Sequence, residues 1–169
     1  SLKESIICFI LATAIRESRK KNMIKSALYN PHNTMLIHIS RFTSWQNNTL
    51  VLVEKYLKEL RSDLKSELPS DPDSRYAELE KLWYKYYAAI TESIQNYLPV
   101  NYDDRFMAPV SFEAIKKYIP DVINETEVRA INNQTKDKLE YANASPKKII
   151  PLAVTAFPGD LRLRDSPLI

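Results

Sequence analysis

Thr34-Met35-Leu36-Ile37-His38-Ile39-Ser40 is the stretch on which the fold reading turns. It follows the turn sequence Asn30-Pro31-His32-Asn33, and it precedes Thr43-Ser44-Trp45-Gln46, which has the form of a capping box. A short apolar run bounded by turn signals fits a strand buried on both faces, as in a parallel sheet. Leu50, Val53, Leu57, Leu60 and Leu64 then recur at spacings of three and four, so a helix follows the strand.

Working outward, Leu2 to Lys20 reads as a helix apolar on most sides, leading into a basic connector with Arg16, Arg19, Lys20, Lys21 and Lys25. Downstream, Pro69 to Asp73 breaks the pattern. Asp71 as cap, with Pro72 at the first helical position, opens a helix whose stripe is Tyr76, Leu79, Trp83, Tyr86 or Tyr87, Ile90, Ile94 and Tyr97, until Pro99 stops it. Ser111 to Tyr118 is a shorter helix that could reach Val122. Val128 to Asn132 and Lys148 to Val154 read as two further strands. The expectation is an α/β fold: a small parallel sheet of about three strands flanked by helices, with a helical insertion. The divisions expected are 1–65 as a helix-strand-helix part, 66–98 as the helical insertion, and 99–169 as the remainder with a divergent C-terminal segment.

Composition excludes several chemistries. Glycine occurs once, at Gly159, in 169 residues. A P-loop, a dinucleotide-binding fingerprint and a nucleophile elbow each need several glycines, so none is present. A single cysteine, Cys8, rules out an internal disulfide and a cysteine-rich zinc site. His32 and His38 lie six apart across a turn and a strand, a poor spacing for one metal. Pro72-Asp73 with Glu78 and Glu80-Lys81 resembles the metal-binding arrangement of restriction nucleases, but the spacing is wrong and these acids share a helix with the aromatic stripe. The catalytic and metal sets are therefore empty.

The formal charge of +3 is segregated. Residues 1–65 hold 11 Lys/Arg against 5 Asp/Glu, while residues 66–127 hold 6 against 12. If nucleic acid is met, the basic ends face it and the acidic middle points away. In a parallel sheet, ligands collect at the carboxyl ends of strands, where helix amino termini offer N–H groups to anions. That edge would carry Ser40, Arg41, Ser44 and Gln46 after the first strand, and Asn132 and Asn133 after the second. These donor-rich loops suit gripping a phosphate backbone better than breaking a bond. For Thr43 and Gln46, helix capping is the simpler role. Ser5 to Ile15 is too short to span a bilayer and lacks a basic leader, so no membrane association and a cytoplasmic location are expected.

The stretch Ser1-Leu2-Lys3-Glu4-Ser5 entering an apolar helix, the block His32-Asn33-Thr34-Met35-Leu36-Ile37-His38-Ile39-Ser40-Arg41-Phe42, and Gln46-Asn47 on the next helix resemble the Z-one domain of bacterial restriction-type endonucleases. Val128-Arg129-Ala130-Ile131-Asn132 and Leu139-Glu140-Tyr141 are similar to a later part of that domain, so the resemblance spans residues 1 to about 150. It implies helicase-like architecture, with the first strand opening the second motor lobe. It also implies DNA as a sequence-independent partner, contact with the motor lobe that this chain lacks, and ATP and Mg as cofactors of the full-length parent only. After Lys147-Lys148-Ile149-Ile150 the family pattern would continue into a glycine-containing motif. This chain reads Pro151-Leu152-Ala153-Val154 instead, so a truncated or altered end is expected there. The reading is thus a fragment of an endonuclease without a complete active site. The alternative is a non-enzymatic protein-protein interaction module built on the long helix from Asp73 to Leu98.

Overall fold

The computed structural model describes residues 1–25, 29–38, 43–101, 108–131 and 148–153. The elements in chain order are α1 (Leu2–Met23), β1 (Asn33–Thr34), β2 (Ile37–His38), α2 (Thr43–Ser66) and α3 (Arg75–Trp83). A π-helical turn (Tyr84–Ala88), α4 (Ala89–Ser93) and a 3-10 turn (Ile94–Tyr97) continue from α3, followed by α5 (Phe112–Lys116), α6 (Ile119–Glu125), β3 (Thr126–Ile131) and β4 (Lys148–Ala153). The chain divides into two compact units, one of residues 1–30 with 59–124 and one of residues 31–58 with 125–169. The segment 66–98, expected as an insertion, therefore folds in the same unit as α1.

The expected α/β class is corrected: the molecule is mainly helical. Among the described residues, the largest fully buried side chains are Ile6, Ile7, Ile10, Leu11, Leu57, Leu60, Leu79, Ile115, Ile119 and Ile123, and every one lies on a helix. Strands are a minor part, two residues each in β1 and β2 and six each in β3 and β4. They pair in parallel along β4 alone. In the described part of the single strand expected over residues 34–40, the ladder is broken into two short pieces for a reason that lies far along the chain. Thr34 pairs with Ile149 and Ile37 with Leu152, so the gap at Leu36 falls opposite Pro151. Proline has no N–H to give to a ladder.

The first unit is helix on helix. Ser1 caps α1 through a reciprocal capping box with Glu4, whose carboxylate also accepts from Lys85 Nζ at 3.0 Å. α1 packs against α3 and α5. Its buried face is Ile6, Ile7, Ile10, Leu11 and Ala14, residues three and four apart that line one side of a helix. Arg75 ties the end of α2 to the start of α3: Nε donates to Asp63 Oδ2 at 2.8 Å, Nη1 to Glu78 Oε2 at 2.7 Å, and its backbone N–H to Glu67. Arg61 donates through Nε and Nη2 to the Ile123 carbonyl at 3.1 and 2.9 Å. That carbonyl is one of those that the end of α6 leaves without an intrahelical partner.

Two helix starts differ from expectation. α3 is capped by Ser74, whose hydroxyl accepts from Ala77 N–H and donates to the Asp71 carbonyl at 2.6 Å, while Asp71 closes a turn by accepting from Asp73 N–H at 2.9 Å. Thr43 is already the first residue of α2, inside the helix and not its cap. The aromatic stripe also stops short. Tyr76, Leu79 and Trp83 are buried as expected, but Ile90 is 54% exposed and Tyr97 82% exposed. The π turn lies before Ile90, and its wider i→i+5 pattern shifts the phase of the helix that follows, so Ile90 leaves the core while Ile94 stays half-buried.

Candidate nucleic-acid interface

The candidate residues at the strand ends divide into described and undescribed ones. Ser40, Arg41, Asn132 and Asn133 lie outside the described residues. Ser44 sits exposed in the first turn of α2, where no acidic side chain opposes the partial positive charge of the helix start. Gln46 is 1% exposed, so its amide faces the protein interior and not solvent; this corrects its expected place on a DNA-facing surface. An amide two residues from an exposed serine turns inward because successive helical residues are about 100° apart.

The basic segment is helical, which corrects its description as a connector. α1 continues to Met23, so Arg16, Arg19, Lys20 and Lys21 ride its last two turns and only Lys25 lies past its end. Several of these cations are engaged within their own unit. Arg16 donates to the Asn30 carbonyl and lies 5.8 Å from the centre of the Tyr29 ring. Arg19 Nη2 donates to the Ala108 carbonyl at 2.7 Å, and Lys20 pairs with Glu17 at 3.4 Å. Lys21 and Lys25 are exposed. Cations at the end of a helix also offset the negative end of its dipole, so part of this charge has a purely structural use.

Other sequence candidates fall outside any catalytic grouping. His32 is half-buried before β1 and His38 falls in β2. Among the described residues, no group of three or more His, Cys, Asp or Glu side chains converges as a metal site would require. Cys8 is partly buried, and burial pushes its thiol up from the ordinary range, the opposite of an activated nucleophile. No described helix is long and apolar enough to cross a membrane.

Sequence reasoning missed a cleft of about 730 Å³ within the first unit. The end of α1 contributes Arg19 and Asn22, the π turn and α4 contribute Tyr84 and Glu92, and α5 with its flanks contributes Lys117 and Tyr118. Trp83 and Phe112, both buried, also line it. The π turn beside the cleft is anchored from behind: Tyr87 stacks on Trp83 with centroids 5.7 Å apart, and its hydroxyl donates to the Cys8 carbonyl at 2.8 Å. The sequence signal was weak, since the cleft is assembled from three distant segments. The crowding of aromatics at Trp83, Tyr84, Tyr86 and Tyr87 was the one local clue.

Comparison with known proteins gives a family match. The family model described as the Z1 domain covers residues 1–154. That is the Z-one resemblance carried by the His32 to Phe42 block, and it extends past residue 150, where the family pattern had been expected to end. No curated protein and no solved structure matches the chain.

Proposed function

Because the chain belongs to the Z1 domain family, we propose that it serves as a DNA-backbone-contacting part of an endonuclease with helicase-like architecture and contributes no complete active site of its own. The observation that carries this reading is the start of α2: an exposed Ser44 on a first turn free of acids, in a helix of 24 residues. It lies in the third of the chain with a surplus of six positive charges. Helix N–H groups and a serine hydroxyl bind phosphate oxygens without reading bases, so binding is independent of sequence. Ser40, Arg41, Asn132 and Asn133 are the further phosphate contacts in the proposal. ATP and Mg belong to the parent protein's other motor lobe.

Fluorescence anisotropy with two unrelated labelled duplexes tests this. Arg41→Ala weakens both about equally and lowers the slope of log affinity against log salt by roughly one charge. An unchanged affinity and slope at low ionic strength rejects the reading. A second reading, docking of a partner protein, is favoured by the exposed Tyr84, Ile90 and Tyr97 on the segment from Arg75 to Tyr97. It predicts association that resists salt.

A further inference from the structure

The cleft beside the π turn has the make-up of a small-molecule site. Its volume of about 730 Å³ lies within the several hundred cubic ångströms usual for such sites. Its floor is apolar, formed by Trp83 and Phe112, which are 2% and 3% exposed. At the mouth, Tyr84 keeps 64% of its surface in solvent, leaving a large flat ring with an open face. Small side chains, Ala88, Ala108 and Ala114, leave the space between floor and mouth unfilled.

The charged lining is lopsided. Arg19 and Lys117 face one carboxylate, Glu92. Arg19 is fixed by its bond to the Ala108 carbonyl, whereas Lys117 is exposed, with its ammonium 5.1 Å from the Tyr118 ring centre. An exposed ammonium over one aromatic face, in the same cleft as an open tyrosine ring, is a combination that accepts an anion and a ring together. The backbone supplies an independent sign. A five-residue π turn interrupts the helix at Tyr84–Ala88, in the wall of this cleft, and Tyr87 braces it through Trp83 and the Cys8 carbonyl. π turns are rare, occur mostly as single-turn bulges inside α-helices, and are found frequently at functional sites.

We propose that this cleft binds a planar aromatic compound bearing one phosphate or carboxylate group, with its ring stacked on Tyr84 and its anion on Lys117. The proposal does not depend on the DNA reading, because neither Tyr84 nor Lys117 belongs to the surface proposed for DNA. Trp83 lines the cleft and is a built-in reporter. The chain has only one other tryptophan, Trp45, which is exposed, so a Trp45→Phe background isolates the Trp83 signal.

Adenosine monophosphate and nicotinate, neither of which emits at tryptophan's wavelength, are the two probes, one for each anionic group, and adenosine and inorganic phosphate are the half-molecule controls. The expected result is a saturable change in Trp83 emission with at least one probe, weakened about tenfold in Tyr84→Ala and again in Lys117→Gln, a loss on the order of 1.4 kcal/mol each. Both positions are exposed, and circular dichroism identical to the parent shows that the fold is kept. Absence of saturable binding by both probes in the millimolar range overturns the proposal, as does unchanged affinity in both variants. Adenosine binding as tightly as its monophosphate overturns the role of Lys117.

Discussion

Leu79→Ala and Ile90→Ala form a matched pair that tests the phase shift imposed by the π turn. On an uninterrupted helix the two positions are eleven residues apart, about three turns, and share one face. Their truncations would then cost alike. In the structure Leu79 is fully buried while Ile90 is 54% exposed. Each substitution deletes roughly three methylene equivalents at about 0.8 kcal/mol apiece, or about 2.4 kcal/mol when fully buried. Leu79→Ala adds a cavity, which brings its cost to about 3 to 5 kcal/mol. For Ile90 the transfer loss falls to about 1 kcal/mol. Alanine's better helix propensity returns about 0.4 kcal/mol, leaving roughly 0.6 kcal/mol. Urea unfolding followed at 222 nm measures both, compared as midpoints at constant slope. Equal losses of 2 kcal/mol or more at both sites would refute the claim that the turn rotates Ile90 out of the core.

The cap assignment predicts that Ser74→Ala lowers stability by about 1 kcal/mol, while Asp71→Ala, which removes only a turn contact, costs less; the reverse order by the same urea assay counts against Ser74 as the cap. Tyr87 predicts an alkaline weakness. Burial pushes its phenol up to about 12 from the ordinary 10, so the folded state holds the proton more tightly. The stability this lends is complete below pH 10 and is lost as pH rises from 10 to 12. Urea midpoints taken across that window should fall less steeply in Tyr87→Phe than in the parent, and parallel curves would reject the coupling.

The helical skeleton was legible because its signals are local. The stripe through Leu57, Leu60 and Leu64, and that through Tyr76, Leu79 and Trp83, carry their own periodicity. The two later strands were found for the same reason, within a residue or two of β3 and β4. What failed depended on distant or silent causes. Nothing in Thr34 to Ser40 announces that Pro151 lies opposite its middle, so one expected strand became two short pieces and the sheet shrank to a minor part. No residue in Tyr84 to Ala88 encodes a π turn, since Tyr, Lys and Ala all suit an α-helix tolerably. Asp71-Pro72 is a stronger cap signal than Ser74, yet Ser74 has the buried hydroxyl that reaches Ala77. Of the residues proposed to contact DNA, Ser44 is exposed and Gln46 is buried.

β4 carries a consequence for how the chain acquires its structure over time. Its partners begin at Asn33, Ile37 and Thr126, but β4 itself starts only at Lys148. Closing a loop of more than a hundred residues adds little equilibrium penalty over a shorter one, because the cost grows only with the logarithm of length. It matters much more for speed, since contacts distant in sequence form late. During synthesis the first unit has all its residues once Asn124 is made. The strand pieces Asn33–Thr34 and Ile37–His38 must then wait, their backbones without a ladder partner, until the ribosome has delivered β4. That interval is when the nascent chain is most exposed to sticking to its neighbours, and it ends with the arrival of six residues.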